Sequence, residues 1–434
     1  EPTAVNNVLV RGFLPGPGVE GWTCPTLQVE NALPGREQLD LRLSPELTLL
    51  HCDPGDFRLI NAQAESGYRL TLVGTLPAQE TDSPIRRLPT IRVQGMKPDW
   101  SSSEEILWRV GWEHQTIEAR YRVTINRGPV TTLPPNELGR VPILEWHLLG
   151  DTNTMWTVRT GDFRRQLQLL YDRGYRPVTI KQLLDRDLDL PAGTSPVVLV
   201  FDDASPSQFR YVERGGQLEI DSTSAVGILL DFNRRNPAWQ NRAVFCMLPA
   251  AEAGRSFFGN KDIEGQKTEW RFRKVRFLAE QGFELCNHTL WHAQLSRYPD
   301  AFVQEQIARG EMAIDSAVPG YQVRTFALPL GLWPKNRPLA WQGAWTDPKS
   351  KKTFTYAYDA VLEVAGGPAR SPFDPQFDPK KLPRVIVHHD ELAKVLDQLD
   401  RHRTRYVSDG DAKRVARPAT AATPSSGTTG GAPR

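Results

Sequence analysis

A change of periodicity near residue 141 constrains the fold more than any other feature of the sequence. Beyond this point, short apolar segments alternate with segments whose apolar residues recur every three or four positions. Residues 197–201 form a continuous apolar run, which is typical of a strand covered on both faces. Phe163, Leu167 and Leu170 share one face of a predicted helix. This β-α-β-α order predicts an α/β fold with parallel strands, either a barrel or a doubly wound sheet.

The same patterns predict the other elements of this region. The helix that contains Phe163 is predicted to begin near Thr160 and to end at Gly174. Further strands are predicted at residues 243–248, 283–286, 325–328, 356–362 and 384–387, and further helices at residues 269–281, 301–318 and 391–401.

The first 130 residues have a different pattern, in which apolar and polar residues alternate with period two. Ile106, Trp108 and Val110 lie on one face of a predicted strand, and Tyr121 and Val123 on one face of the next. We therefore predict a small, all-β, sandwich-like domain over residues 1–130. We expect its aromatic side chains to pack in a core in preference to contacting sugars.

Two segments are predicted to lie outside the packed domains. Residues 127–139 are rich in Pro, Gly and Thr, which favours an extended linker, and we place this linker at residues 131–140. Residues 410–434 contain almost nothing that could be buried, so we predict a disordered tail. The α/β domain then covers residues 141–409.

The charge balance excludes several kinds of partner. Lys and Arg number 53 and Asp and Glu 51, mixed along all 434 residues, so nucleic acid is not an expected partner. No apolar run approaches the ~18 residues that a transmembrane helix requires. The sequence begins at Glu1 and not at Met, which would fit a processed, exported protein of the periplasm, the cell envelope or the extracellular space.

Four cysteines allow three disulfide pairings, and none has the CxxC spacing of a zinc ribbon or a redox motif. Cys24 with Cys52 is the preferred pairing. Cys246 and Cys286 lie in apolar runs, where buried free thiols are at least as good an interpretation.

Asp202 and Asp203 follow the apolar run at residues 197–201, where parallel α/β folds place their active sites. His288 and His292 follow another predicted strand, and their spacing of four would place both imidazoles on one face of a helical turn. Taken alone, the aspartates could be a turn or the N-cap of a helix, and the histidines could have surface or packing roles. Together, two imidazoles and one carboxylate could hold a zinc-like ion with a position open for water, and the second carboxylate could accept the proton of that water.

These segments resemble motifs of the polysaccharide deacetylases, the NodB homology domain of carbohydrate esterase family 4, over roughly residues 141–409. VFDDASPSQF is similar to the first motif, T-F-D-D-G, and NHTLWH to the second, H-[ST]-x-x-H. The resemblance implies that Asp202 is the catalytic base and that Asp203, His288 and His292 bind the metal. Thr289 matches the hydroxyl residue that braces the second motif.

The opening of the domain and its third motif match the family less closely. VPILEWHLLG resembles the family's opening, with Trp146 and His147 where many members have Tyr-His. FALPLGLWP resembles R-x-P-[FY]-G, with Pro329 and Gly331 retained. Two residues depart from this third motif and one from the first: Ala327 replaces the Arg that normally contacts the base, Leu330 replaces the aromatic residue, and Ala204 replaces the first-motif glycine. VIVHHDEL resembles the fifth motif, in which His388 and His389 compete for the role of general acid; a closing strand with solvent-facing histidines is an equal alternative.

The family resemblance implies a distorted (β/α) barrel with a divalent metal, zinc before cobalt or manganese, at the carboxyl ends of its strands. It implies a polysaccharide substrate that bears N-acetyl or O-acetyl groups, with Pro329, Gly331, His147 and Trp291 as candidate substrate contacts. Attachment to the envelope or surface layer through the N-terminal domain or the tail is a further expectation. Two other hypotheses stay open: a catalytically retired barrel that binds carbohydrate or serves the envelope structurally, and an amidase that acts on a small substrate.

Overall fold

The computed structural model describes residues 128–188, 190–388, 390–410 and 414–418, together with ten strands among the first 124 residues. The ten N-terminal strands are β1 (Val8–Arg11), β2 (Trp22–Thr23), β3 (Thr26–Val29), β4 (Gly35–Arg42), β5 (Leu47–Asp53), β6 (Arg58–Gln63), β7 (Arg69–Leu76), β8 (Thr90–Gly95), β9 (Ser103–Trp112) and β10 (Gln115–Thr124).

These ten strands pair only with antiparallel neighbours, in the orders β1-β3, β10-β9-β4-β7-β6 and β2-β8-β5. The apolar residues that predicted β9 and β10 are direct register partners: Ile106 lies opposite Tyr121, and Trp108 opposite Ala119. The prediction of β structure from period-two alternation is therefore confirmed for these two strands. The packing of the sheets into a sandwich stays a prediction.

Beyond residue 140 the chain forms a parallel barrel. Its strands are β11 (Ile143–Trp146), β14 (Tyr175–Val178), β15 (Ser195–Phe201), β18 (Val244–Met247), β19 (Glu284–Asn287), β20 (Thr325–Ala327), β23 (Ala360–Gly366) and β24 (Leu382–Ile386). They pair in the order β11-β24-β23-β20-β19-β18-β15, and β11 also pairs with β15. Seven strands therefore close on themselves, while β14 pairs with the first residues of β15. This closure confirms the predicted (β/α) barrel.

Helices and small accessory strands surround the barrel. The helices are α1 (Thr160–Asp172), α2 (Ile180–Asp185), α3 (Ala225–Arg235), α4 (Trp270–Glu280), α5 (Asp300–Ala317) and α6 (Glu391–Arg401). The accessory strands are β12 (Leu148–Gly150), β13 (Thr157–Arg159), β16 (Tyr211–Arg214), β17 (Gln217–Ile220), β21 (Gln342–Thr346) and β22 (Thr353–Ala357). The strand predicted at residues 356–362 is divided between β22 and β23, because the chain passes from an accessory hairpin into the barrel there.

Alternate residues of the barrel strands belong to two separate cores. On β15, Leu199 and Phe201 pack in the larger core together with residues of the helices, whereas Val198 and Val200 belong to the smaller core. Leu144 and Trp146 on β11 are in the larger core, so Glu145 between them projects to the opposite face. All four residues of β11 are buried.

The structure corrects the interpretation of two cysteines. Cys246 on β18 and Cys286 on β19 are register partners, with Cα atoms 4.2 Å apart, and they form a disulfide. The expectation of buried free thiols at these positions is therefore wrong, because the predicted apolar runs are neighbouring strands in register. The pairing predicted between Cys24 and Cys52 concerns side chains outside the described part of the chain.

The segments predicted as linker and tail approach each other where they are described. Residues 131–140 contain no helix or extended strand, but Asn136 N–H donates to the carbonyl of Val407 at 2.8 Å. The buried side chain of Glu137 accepts from Ala416 N–H at 2.8 Å. Residues 414–418 thus lie against the start of the barrel domain. None of the helices among the described residues is long and apolar enough to span a membrane.

Candidate active site

The site is built where strands of the barrel end. Asp202 and Asp203 follow β15, and Asp202 N–H donates to the carbonyl of Trp146, the last residue of β11, at 3.0 Å. Asp203 and Ala204 have φ angles of 79° and 45°. Left-handed conformations at two consecutive residues other than glycine are costly, and such strain concentrates at functional sites. The turn directs two adjacent carboxylates into separate environments.

Asp203, His288 and His292 form one compact group of potential ligand atoms. Asp203 Oδ1 lies 3.5 Å from the Nε2 atom of each histidine, and the two imidazole centroids are 5.0 Å apart. This oxygen is buried and makes no well-formed hydrogen bond. A buried acceptor without a donor is uncommon, and here it faces two imidazole nitrogens. The three side chains therefore have the donor set and the spacing that a divalent cation needs.

The backbone fixes the orientation of His288. Its Nδ1 atom lies 2.9 Å from the carbonyl oxygen of Ala327, so Nδ1–H donates there and Nε2 faces Asp203. A backbone carbonyl that selects the tautomer is a common outer partner of metal-binding histidines. Ala327, which replaces the family's arginine, contributes through its main chain.

The segment that joins the two histidines is a loop, so the expected helical turn is wrong. Thr289 and His292 have φ angles of 72° and 69°, which no helix contains. The Thr289 hydroxyl accepts from His292 N–H at 3.0 Å, and the Asn287 side-chain oxygen accepts from Thr289 N–H at 3.0 Å. These loop hydrogen bonds, and not the periodicity of a helix, bring the two imidazoles together.

A buried arginine joins Asp202 to a second carboxylate. Arg384 Nη1 lies 2.9 Å from Asp202 Oδ1, and Arg384 Nε lies 2.9 Å from Glu145 Oε2. All three side chains are almost completely buried. Sequence reasoning missed Arg384 and Glu145, because their meeting depends on the pairing of β24 with β11. The guanidinium of Arg384 therefore contacts Asp202, the predicted base, although the third motif of this chain contains no arginine.

Charge and burial set the pKa values of these two carboxyl groups in opposite directions. Burial raises the pKa of Asp202, but the charges of Arg384, His288 and His147 together outweigh burial and keep the pKa below its ordinary value. Burial raises the pKa of Glu145 to about 8; the charge of Arg384 opposes this shift, and that of Asp202 adds to it. Asp202 is thus the carboxylate of the pair that stays ionised, as a proton acceptor must.

His147 completes this second group. Its Nε2 atom lies 3.3 Å from Glu145 Oε1, and ligand atoms of His147, Glu145 and Asp202 all lie within 4.8 Å of one another. The imidazole contacts the ring of Trp156 at a centroid distance of 4.8 Å. Burial lowers the pKa of His147, whereas the charges of Asp202 and Asp203 oppose that shift.

One further cation approaches the site from the loop after β18. Arg255 Nη1 lies 3.4 Å from Asp203 Oδ2, the carboxylate oxygen other than the one that faces the histidines. No sequence signal marked Arg255, since it ends a three-residue 3₁₀ turn (Ala253–Arg255) within an irregular loop that contains five non-glycine residues with positive φ between positions 257 and 264. Its position restricts the rotation of the Asp203 carboxylate.

The other predicted site residues lie in several environments. His388 follows β24 and belongs to neither group of potential ligand atoms in the described part of the chain, and His389 falls outside the described residues. Trp291 is 48% exposed. Pro329 is buried, and Gly331 has a φ of 66° at a point where a Cβ would collide with the side chain of Val364. The close approach of Val364 therefore requires glycine at this position.

Residues 242–342 match the family model described as polysaccharide deacetylase. The resemblance to the polysaccharide deacetylases is confirmed. The match contains His288, His292 and the third motif, whereas Asp202, Asp203 and Arg384 lie outside it. No curated protein sequence matches the chain.

Solved structures of polysaccharide deacetylases are also similar to this chain. Streptococcus pyogenes deacetylase PplD, in complex with acetate, has 16% identity and a TM-score of 0.43 over 60% of this chain and 97% of its own. A family 4 carbohydrate esterase from Bacillus anthracis has 16% identity and a TM-score of 0.25 over 59% and 94%. A family 4 pseudoenzyme from the same organism has 16% identity and a TM-score of 0.19 over 26% and 32%.

Proposed function

We propose that the barrel is a metal-dependent deacetylase that removes acetyl groups from N-acetylated polysaccharide of the cell envelope or the extracellular space. The observation that carries this proposal is the position of Asp202. This ionised, buried carboxylate lies 3.9 Å from His288 Nε2, directly beside the group formed by Asp203, His288 and His292. Amide hydrolysis needs a proton acceptor next to the group that activates the carbonyl.

Asp203, His288 and His292 would hold the metal, with zinc expected before cobalt or manganese. A divalent ion held there would polarise the acetyl carbonyl and acidify a water molecule. One carboxylate and two imidazoles are a donor set found in catalytic zinc sites. Three protein ligands of this kind leave the fourth coordination position open for water or substrate. The poorly satisfied Asp203 Oδ1 supports this assignment.

The remaining residues would orient the reactants. Asp202 accepts the proton of the attacking water, and Arg384 holds its carboxylate in place. Trp156 and Trp291, which are 44% and 48% exposed, offer flat apolar surfaces for sugar rings. Trp156 contacts His147, and Trp291 directly precedes His292. His147, Trp291 and the Pro329–Gly331 turn are proposed substrate contacts.

An exported location fits the disulfide between Cys246 and Cys286, since structural disulfides persist in oxidising compartments. Attachment to the envelope through the N-terminal strands or the tail remains a prediction, as do the boundaries of the N-terminal domain.

Acetate release tests the proposal directly. The substrates are an N-acetylglucosamine tetramer and purified peptidoglycan, each incubated with zinc-loaded, cobalt-loaded and chelator-treated protein. We expect acetate only from the metal-loaded protein. If the protein binds one equivalent of metal and glycan yet releases no acetate, the retired barrel is the better description. Hydrolysis of small amides alone would favour the amidase.

A further inference from the structure

Tyr358 connects the loop that carries both histidines to helix α5. It directly follows β22 and is almost completely buried. We propose that Tyr358 is a positioning residue of the metal site, which holds the loop from His288 to His292 in its metal-binding shape, and that Glu311 on α5 anchors it. This inference rests on the proposed function, in which the two histidines bind the metal. Neither Tyr358 nor Glu311 belongs to a sequence motif.

A continuous hydrogen-bond network links Glu311 to this loop. The Tyr358 hydroxyl donates to Glu311 Oε2 at 2.6 Å and accepts from Asn287 Nδ2 at 2.7 Å. The Asn287 side-chain oxygen accepts from Thr289 N–H at 3.0 Å. The Thr289 hydroxyl accepts from His292 N–H, also at 3.0 Å. The network therefore begins on α5 and ends at a proposed metal ligand.

The chemistry of the groups fixes the direction of the bonds that Asn287 and Tyr358 make. Asn287 Nδ2 also donates to the carbonyl of Ile307 at 2.9 Å, so its two hydrogens face two acceptors while Oδ1 faces an N–H group. A flipped amide would place Oδ1 against that carbonyl and Nδ2 against the N–H of Thr289. The Tyr358 oxygen accepts from Asn287, so its single hydroxyl hydrogen is directed to Glu311. Hydrogen bonds that run in one direction polarise one another, so the loss of one weakens the others.

The loop needs this support because its backbone is strained. Thr289 and His292 have φ angles of 72° and 69°, and such conformations persist only where the surrounding contacts impose them. Helix α5 packs directly against the loop, since a Cβ at Gly310 would collide with Asn287 Oδ1. The position of the Asn287 amide therefore depends on α5 on one side and on the Tyr358 hydroxyl on the other.

Paired substitutions of two neighbouring tyrosines test this role. Tyr358→Phe keeps the ring, which stacks on those of Phe326 and Tyr356, and removes the hydroxyl. Tyr356→Phe is the matched control, because the Tyr356 hydroxyl donates to the carbonyl of Leu339 at 2.7 Å and lies outside the network. The zinc dissociation constant should rise ~10- to 100-fold in Tyr358→Phe, the usual effect of losing an outer partner of a metal site, and by less than about twofold in Tyr356→Phe.

Two variants of Glu311 test the anchor. Glu311→Gln retains a carbonyl oxygen that can accept from the Tyr358 hydroxyl, so its zinc dissociation constant should stay within about threefold of the wild-type value. Glu311→Leu has no acceptor and should weaken zinc binding, as Tyr358→Phe does. The visible absorption spectrum of the cobalt-loaded protein, which depends on the geometry of the ligands, should change in Tyr358→Phe and Glu311→Leu but not in Glu311→Gln or Tyr356→Phe.

An unchanged zinc dissociation constant in Tyr358→Phe would overturn the inference. So would equal losses of zinc affinity in Tyr358→Phe and Tyr356→Phe, which would indicate a general effect of packing. Zinc binding is measured without turnover, so a wild-type protein that binds one zinc per chain and releases no acetate would overturn the proposed activity alone. A wild-type protein that binds no zinc would overturn both the proposed function and the role of Tyr358.

Discussion

The guanidinium of Arg384 lies 2.9 Å from the carboxylate of Asp202, although 182 positions separate the two residues in the chain. In the family's third motif, an arginine normally contacts the base, and here that position is Ala327. The charge therefore comes from the last barrel strand instead. This relationship connects the electrostatics of the proposed base to the closure of the barrel.

Loss of the Arg384 charge should lower the stability of the protein and change the pH dependence of kcat/KM. Arg384→Met leaves the ionised Asp202 buried without its guanidinium partner, which should cost about 3–5 kcal/mol of unfolding free energy. Because Arg384 lowers the pKa of Asp202, its removal raises that pKa, and the acidic limb of kcat/KM should move to higher pH. Arg384→Lys keeps one charge and should shift the limb less. An unchanged pH profile in a folded Arg384→Met variant would contradict the assigned role.

Substitutions of the adjacent residues Asp202 and Asp203 should have opposite effects on the amount of bound zinc. Asp203→Ala removes a proposed ligand, so the purified protein should lose bound zinc and activity together. Asp202→Asn preserves size and leaves the three ligands, so it should keep one zinc per chain while acetate release falls by ~100-fold or more. Elemental analysis and acetate release on the same samples separate the two effects. Full activity in Asp202→Asn would exclude it as the base.

The disulfide between Cys246 and Cys286 should be detectable and stabilising. Closing a segment with a sequence separation of 40 corresponds to about 4 kcal/mol in the chain-entropy description. In a Cys24→Ala/Cys52→Ala background, reductant should lower the urea midpoint, whereas further replacement of both barrel cysteines by alanine should abolish the response to reductant. Peptide mapping without reduction should recover the crosslinked pair. Alkylation of both Cys246 and Cys286 in unfolded, unreduced protein would show that they form no disulfide.

Buried Lys274 should make stability depend on pH. Its ammonium group donates to the carbonyl of Phe258 and to the side chain of Gln266, and burial, aided by the charge of Arg210, lowers its pKa to about 7. An unfolded lysine titrates near 10.4, so between about pH 7 and 10 the unfolded chain binds more protons, and stability rises with pH.

Lys274→Met removes this contribution. As the pH rises across that window, the unfolding free energy of the wild type should therefore increase relative to that of Lys274→Met, by up to about 1.4 kcal/mol per pH unit. Urea unfolding of both proteins at pH 7, 8 and 9 measures the difference, in which other titrating groups cancel. A difference that stays constant with pH would show that Lys274 is charged in the folded protein.

The sequence was sufficient for features that depend on local pattern. Helix α6 has the predicted bounds, and the proximity of Asp203 to His288 and His292 could be expected because each follows a recognisable strand. The helical turn between the histidines could not be excluded, since hydrogen bonds of Thr289 and Asn287 override the spacing. Arg384 and Arg255 gave no signal, because their contacts depend on strand order and on an irregular loop.

The pairing of β11 with both β15 and β24 has a consequence for biosynthesis. As the chain leaves the ribosome, all three proposed metal ligands emerge well before Arg384 does. A chain that ends before β24 lacks both the strand that pairs with β11 and the cation that Asp202 contacts. Catalytic competence would therefore coincide with completion of the barrel.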